Sequence, residues 1–331
     1  MFHQNPCTSV KSVDSVVSLK ALNGSHIMET RVITIGTRGS TLALAQAKEV
    51  ISALRFNYPD IKFQIKPIRT AGDSRAARGQ DARGLFVKEI EEDLLRGGCD
   101  LAVHSMKDLP TEQPAGLTIA AATRRADPFD ALISPDGEEL FDLEAGARVG
   151  TSSPRRAAQV LNIRPDLRIV PMRGNVDTRL RKVRDGACEA IILATAGLQR
   201  LGMSGVKMQR LTPPAFIPAP GQGCLAIEIS EGDSGALQIA RSIHHPQSHA
   251  AVTAEKTFLK ALGGGCYIPI GAYAEPAGED RLRLLACVLS PDGRQAVRGE
   301  LEGSMREPME LGIALARELI ARGADALFGS A

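Results

Sequence analysis

Two stretches of this chain follow the same order of elements, and that duplication limits the fold more than any other feature. Residues 31–36, RVITIG, alternate as a strand does; GTRGS (36–40) follows, and TLALAQAKEVISAL (41–54) has helical spacing. In the second stretch ARVG (147–150) reads as a strand end, before TSSPRR (151–156) and the helical AAQVL (157–161). Each copy then runs Pro-Asp, a strand and Pro-x-Arg: PDIKFQIKPIR (59–69) against PDLRIVPMR (165–173). Amphipathic helices come next, GLFVKEIEEDLLRGG (84–98) and NVDTRLRKVRDGA (175–187). Each stops at small residues before Cys, an acid and an apolar strand, CDLAVHS (99–105) and CEAIILAT (188–195). Alternating strands and helices predict an α/β class, and a repeat of this length predicts two similar lobes with a ligand cleft between them.

The rest of the chain divides around that repeat. LTPPAFIPAPGQG (211–223) is rich in Pro and Gly and reads as a connection; CLAIEIS (224–230) reads as one more strand, returning to the first lobe. From about His244 the pattern changes to a helix over 248–262, alternating runs with a PDG turn at 291–293, and a closing helix over 308–323. The predicted organisation is an N-terminal extension (1–30), lobe one (31–125 with 224–243), lobe two (126–223) and a small α+β third domain (244–331).

Composition excludes several classes of function. The net charge is only +2 and aromatics are 4% with no Trp, which disfavours base-stacking and phosphate-backbone binding, so no nucleic-acid partner is expected. No apolar run approaches ~18 residues, so no membrane span is expected. The cysteines, Cys7, Cys99, Cys188, Cys224, Cys266 and Cys287, are scattered, with no CxxC pair and no spacing that suggests a metal site. They read as reduced thiols in a cytoplasmic compartment. Residues 1–30 have no apolar h-region and are not a signal peptide; a disordered tail and an upstream start before Met28 both stand as readings of 1–27.

Candidate chemistry gathers at strand ends. In DLAVHSMKDLP (100–110) a short apolar run breaks into polar residues at the point where open α/β sheets bind ligands. Asp108, beside Lys107, reads either as a turn cap before Pro110 or as a carboxylate that handles protons or holds an N–H group. Ser153 suits the N-cap of a helix whose first residue is Pro154, which puts Arg155 and Arg156 in the first turn. Cations are disfavoured there by a few tenths of a kcal/mol each, and a bound polyanion would supply a reason for them. Arg173, Arg179 and Arg200 end or follow neighbouring elements and can share that rim; a solvated basic face is the plainer reading. In lobe one Arg38 brings charge and Ser40 a cap. The polar run 71–83 reads as a lid or a disordered loop. Cys266, in GGGC (263–266), reads as an accessible thiol or as a small buried hydrophobe, and a dyad with His244, His245 or His249 is open.

Together these stretches resemble the hydroxymethylbilane synthase, or porphobilinogen deaminase, family from about residue 31 to the end. The motifs are GTRGS (36–40), GLFVKE (84–89), AVHSMKDLP (102–110), VGTSSPRRAAQ (149–159), RGNVDTRL (173–180), AIILATAGLQRLG (190–202), GQG (221–223) and GGGCYIPIG (263–271). The resemblance implies two lobes like those of periplasmic binding proteins plus a third domain. It implies a transferase that condenses porphobilinogen into a linear tetrapyrrole with loss of ammonia. It implies a dipyrromethane cofactor tethered by a thioether to Cys266, with Asp108 contacting pyrrole nitrogens. Arg38, Arg155, Arg156, Arg173, Arg179 and Arg200 would bind acetate and propionate carboxylates, with Ser40, Ser105, Lys107, Thr151, Ser152, Ser153 and Gly174 beside them. The partners expected are porphobilinogen and the growing polypyrrole chain, on a monomer. Pro154 stands where the family often has Leu, Arg83 where it often has Lys, and the lid looks shorter.

Overall fold

The computed structural model describes residues 32–70, 87–203, 205–263 and 268–327. The N-terminal extension, the lid run 71–83 and Cys266 lie outside the described residues. In chain order the elements are β1 (Val32–Arg38), α1 (Thr41–Asn57), β2 (Lys62–Ile68), α2 (Lys88–Leu95), β3 (Leu101–Ser105), β4 (Leu117–Ala122), β5 (Asp130–Ile133), β6 (Arg148–Gly150), α3 (Pro154–Ile163), β7 (Arg168–Val170), α4 (Val176–Arg184), β8 (Ala190–Ala194), α5 (Thr195–Arg200), β9 (Gln209–Leu211), β10 (Leu225–Ser230), α6 (Ser234–Arg241), α7 (Pro246–Ala261), β11 (Ile270–Pro276), β12 (Arg281–Leu289), β13 (Ala296–Ser304) and α8 (Pro308–Ala321).

The duplication is visible in the sheets. One sheet has the order β2-β1-β3-β10-β4 and the other β7-β6-β8-β5-β9. In each, a central strand has two parallel neighbours (β1 with β2 and β3; β6 with β7 and β8). In each, one strand runs antiparallel to both of its neighbours: β10 against β3 and β4, β5 against β8 and β9. β10 is buried from Leu225 to Ile229, so it suits an interior position with both faces covered. The chain therefore passes between the sheets twice, over 123–129 and over 212–224. The two passages touch: Ala126 N–H donates to the Gly223 carbonyl at 3.2 Å. β4, β5 and β9 were not anticipated, and at three to six residues they are too short to show a period.

The helix starts form as their cap residues dictate. Ser40 Oγ accepts from Ala43 N–H at 3.3 Å, Ser153 Oγ from Arg156 N–H at 3.4 Å, and Asn175 Oδ1 from Thr178 N–H at 2.9 Å. Pro154 takes the first turn of α3, where its missing N–H costs nothing. Ile35, Leu54, Leu101 and Ile227 centre the first core; Leu132, Val149, Ile192 and Phe216 centre the second. The antiparallel meander β11-β12-β13 packs with α7 and α8 around Phe258, Leu284 and Leu315.

Candidate active site

Asp108 stands where β3 ends. After Ser105 the chain makes a single 3-10 turn, Met106–Asp108. Buried Met106 anchors that turn, and Lys256 of α7 holds it from outside by donating to the carbonyls of Met106 (3.2 Å) and Leu109 (2.9 Å). Asp108 itself is exposed, and among the described residues its carboxylate accepts no backbone N–H. The turn-cap reading thus lacks the hydrogen bond that defines it.

Two pockets share Asp108 as a wall. The first holds Arg38, Ser40 and Ser105. Ser105 Oγ is hydrogen-bonded to Gln46 of α1 at 2.8 Å, which fixes the side of the strand that it faces. The second, about 730 Å³ of open space, lies between the lobes and the third domain. Lys107, Ser153, Arg155, Arg156 and Gln222 form its polar wall, and Ala219, Pro220, Leu259, Ile268 and Ile270 its apolar wall. Burial, reinforced by Arg156, pushes the Lys107 ammonium down to about 8, with Asp108 and Asp130 opposing.

The arginine pair of α3 has an internal partner. Arg155 Nη1 donates to Asp130 Oδ2 at 2.7 Å, and Arg156 donates to Asp130 Oδ1 through Nε (3.0 Å) and Nη2 (2.7 Å). Both arginines are buried, and Asp130 completely so. Burial alone would push the Asp130 carboxyl up, but the two guanidiniums outweigh it and hold it well below the usual carboxylate range. Asp130, on β5, thus supplies a second reason for cations in this helix's first turn, beside the bound polyanion that the sequence left open. Arg155 and Arg156 still face the cleft beside Asp108.

The other expected residues are spread more widely. Thr151 is buried, and its Oγ1 accepts from Ser153 N–H at 3.1 Å. Ser152 Oγ is bonded to Met172 O and N, both at 3.0 Å. Arg179 Nε donates to the carbonyl of Gly174 at 2.8 Å, and Arg173 is exposed. Arg200 does not line either pocket: it bridges the lobes, to Glu49 of α1 at 2.8 Å and to Gly223 O at 3.0 Å. Arg200 therefore stands apart from Arg38, Arg155 and Arg156, which line those pockets. The histidines weighed as thiol partners serve the start of α7. His244 Nδ1 accepts from Ala122 N–H (3.2 Å), His245 caps the helix, and His249 meets the His244 ring edge-on.

Sequence reasoning missed Asp130, Gln222 and the Arg125–Glu255 pair. Asp130 did leave a signal, an acid at the head of the wholly buried run DALI. Gln222 sits in the GQG motif (221–223), but its bonds need partners 92 and 115 positions away. Glu255 is completely buried; it pairs with Arg125 and accepts from Gly221 N–H at 2.6 Å and Ala274 N–H at 2.8 Å.

A cleft with a cationic wall, an apolar wall and one exposed carboxylate suits a flat ring system that bears carboxylates. Residues 33–238 match the family model described as porphobilinogen deaminase, dipyromethane cofactor binding domain. Residues 249–321 match that described as porphobilinogen deaminase, C-terminal domain. The chain belongs to the porphobilinogen deaminase family. A porphobilinogen deaminase of Thermus thermophilus is 47% identical over 293 residues, covering 88% of this chain and 97% of its own. One of Roseiflexus castenholzii is 48% identical over 298 residues, covering 89% and 98%. Among solved structures, an ancestral cationic amino acid solute binding protein covers 64% of this chain and 88% of its own at 14% identity, with a TM-score of 0.42. At that score the likeness decides nothing, and the fold rests on the sheets themselves. Among the described residues no helix is long and apolar enough to cross a membrane. The donor set fits the family's cofactor: ammonium and guanidinium groups for its carboxylates and an apolar wall for its rings.

Proposed function

We propose that the chain condenses porphobilinogen, with release of ammonia, onto a dipyrromethane primer held by a thioether to Cys266, and that water then cleaves the chain from the primer to give the linear tetrapyrrole hydroxymethylbilane. When bound, the primer supplies the free pyrrole α-carbon that acts as nucleophile. Asp108 carries this reading: it is the exposed carboxylate common to both pockets. It holds the pyrrole N–H and stabilises positive charge that develops on the ring, which calls for a fixed anion in a partly dry site. Lys107, Arg155 and Arg156 on one side and Arg38 with Ser40 and Ser105 on the other bind the carboxylates of substrate and product chain. Arg173 and Arg179 serve the chain as it lengthens, with Thr151, Ser152, Ser153 and Gly174 shaping the loops that carry the charge. Leu259 and Ile268, on either side of the segment that holds Cys266, both line the cleft, which supports attachment there.

The functional divisions proposed are lobe one (31–125 with 224–243), lobe two (126–223) and a cofactor-bearing third domain (244–331). The protein works as a monomer in the cytoplasm. Cys99, Cys188, Cys224 and Cys287 are buried free thiols, as a reducing compartment permits.

The test is Asp108→Asn, which keeps the shape and removes the charge. It is expected to fold normally, retain the primer and release ammonia about a hundredfold more slowly in a single turnover. Asp108→Glu keeps more activity. Near-normal turnover in Asp108→Asn, with an unchanged thermal melt, returns Asp108 to a structural role.

A further inference from the structure

Gln222 lies in the second passage between the sheets and is 1% exposed. Its Nε2 donates to the carbonyl of Pro128 at 2.8 Å and to Asp130 Oδ1 at 3.0 Å. Both partners can only accept, so the amide has one workable orientation: reversed, its oxygen would face two acceptors and its NH₂ would face an ammonium. Oε1 is thereby aimed at Lys107 Nζ, 3.1 Å away. The backbone is held too, since Gln222 O accepts from Arg125 Nε at 2.8 Å and Gln222 N–H donates to Ala219 O at 3.0 Å.

We propose that Gln222 is a positioning residue: its amide, oriented by the second lobe, holds the Lys107 ammonium in the cleft as a carboxylate-binding group. The inference rests on the functional reading above and adds a residue to it. Charge explains why a neutral acceptor stands here. Lys107 faces Arg155 and Arg156 from α3 and Asp130 from β5, with Asp108 on its own turn and Lys256 of α7 bonded to that turn. A carboxylate in place of Gln222 would neutralise the ammonium and compete with the substrate's own carboxylates. An amide oxygen favours the protonated form and leaves the charge available to a ligand. The need is real, because burial and Arg156 already bring Lys107 down to about 8.

The experiment is competitive acetylation of the purified holoprotein with acetic anhydride across pH, with the Lys107 peptide read by mass spectrometry. Gln222→Met removes the acceptor, so the Lys107 midpoint is expected to fall by about one pH unit. Gln222→Asn keeps an amide but withdraws its oxygen by one methylene, so its midpoint is expected to fall as well, by less than in Gln222→Met. Methionine fills a similar volume, so a packing role leaves the midpoint where it is. Should Gln222→Met fail to fold, the fall in Gln222→Asn decides alone. An unchanged midpoint in the folded variants overturns the proposal. The KM for porphobilinogen is measured alongside. In Gln222→Met it should worsen above neutral pH, recover on acidification, and recover at all pH values when Lys107→Arg is added. Shifted midpoints with an indifferent KM leave the Gln222–Lys107 geometry standing and overturn the assignment of Lys107 to carboxylate binding.

Discussion

A carboxylate buried between two guanidiniums, as Asp130 is between Arg155 and Arg156, is costly to assemble and costlier to break. Removing its charge leaves two buried cations with carbonyl partners but no counter-charge. Asp130→Asn is therefore expected to lose ~3–5 kcal/mol of stability at neutral pH, read by denaturant unfolding. The sign of the pH dependence follows from the direction of its shift. The carboxyl is held well below the ~3.9 of an unfolded chain, so its stabilisation is complete above about pH 4 and declines as pH falls towards the folded value. The gap between wild type and Asp130→Asn should accordingly narrow as unfolding is repeated at increasing acidity. A gap that stays constant would mean that the pair stabilises by packing alone.

At the scale of elements, the passages between the sheets are held by close backbone approach. Gly223 has φ +91°, and a Cβ there would lie 2.6 Å from the carbonyl oxygen of Ala126 on the other passage. Gly221 has φ +75°, and its Cβ would stand 2.8 Å from Met106 Cγ, in the turn that carries Lys107 and Asp108. Glycine at these points is a condition for both strands to leave one sheet and enter the other side by side. Gly223→Ala is expected to cost ~1–2 kcal/mol from backbone conformation alone, and more from the clash. A thermal melt lowered by several degrees would accord with this, and because Gly223 O also accepts from Arg200, turnover should fall further than the melt does. A variant as stable and as active as wild type would show that the two passages can separate freely.

The whole molecule brings three cores to one cleft, with residues from both lobes and from α7 and the start of β11 on its walls. Such a cleft can serve successive condensations on one primer only if the primer is fixed in place. Intact mass after denaturation is expected to exceed the sequence mass by one dipyrromethane, and Cys266→Ser is expected to lack the increment and the activity. A fully active wild type of unmodified mass would remove the tether from the mechanism.

Much of this was legible along the chain, wherever the controlling interactions are local. Ser40 and Ser153 start helices through bonds to residues three positions on, and Pro154 through its fixed φ, so their roles could be read from neighbours. The duplicated strand-helix pattern likewise announced two α/β units, because periodicity reflects which face is buried. Asp108 was legible as a polar residue at the end of an apolar strand. Tertiary structure alone decided what the charges do. Arg155 and Arg156 are 25 and 26 positions from Asp130, Arg200 is 151 from Glu49, and Gln222 is 115 from Lys107. In sequence each is a charge or amide with several open readings. Electrostatics acts through space and depends on burial, and a strand-exchanging fold sets both distance and burial only when the two lobes and the third domain close around the cleft.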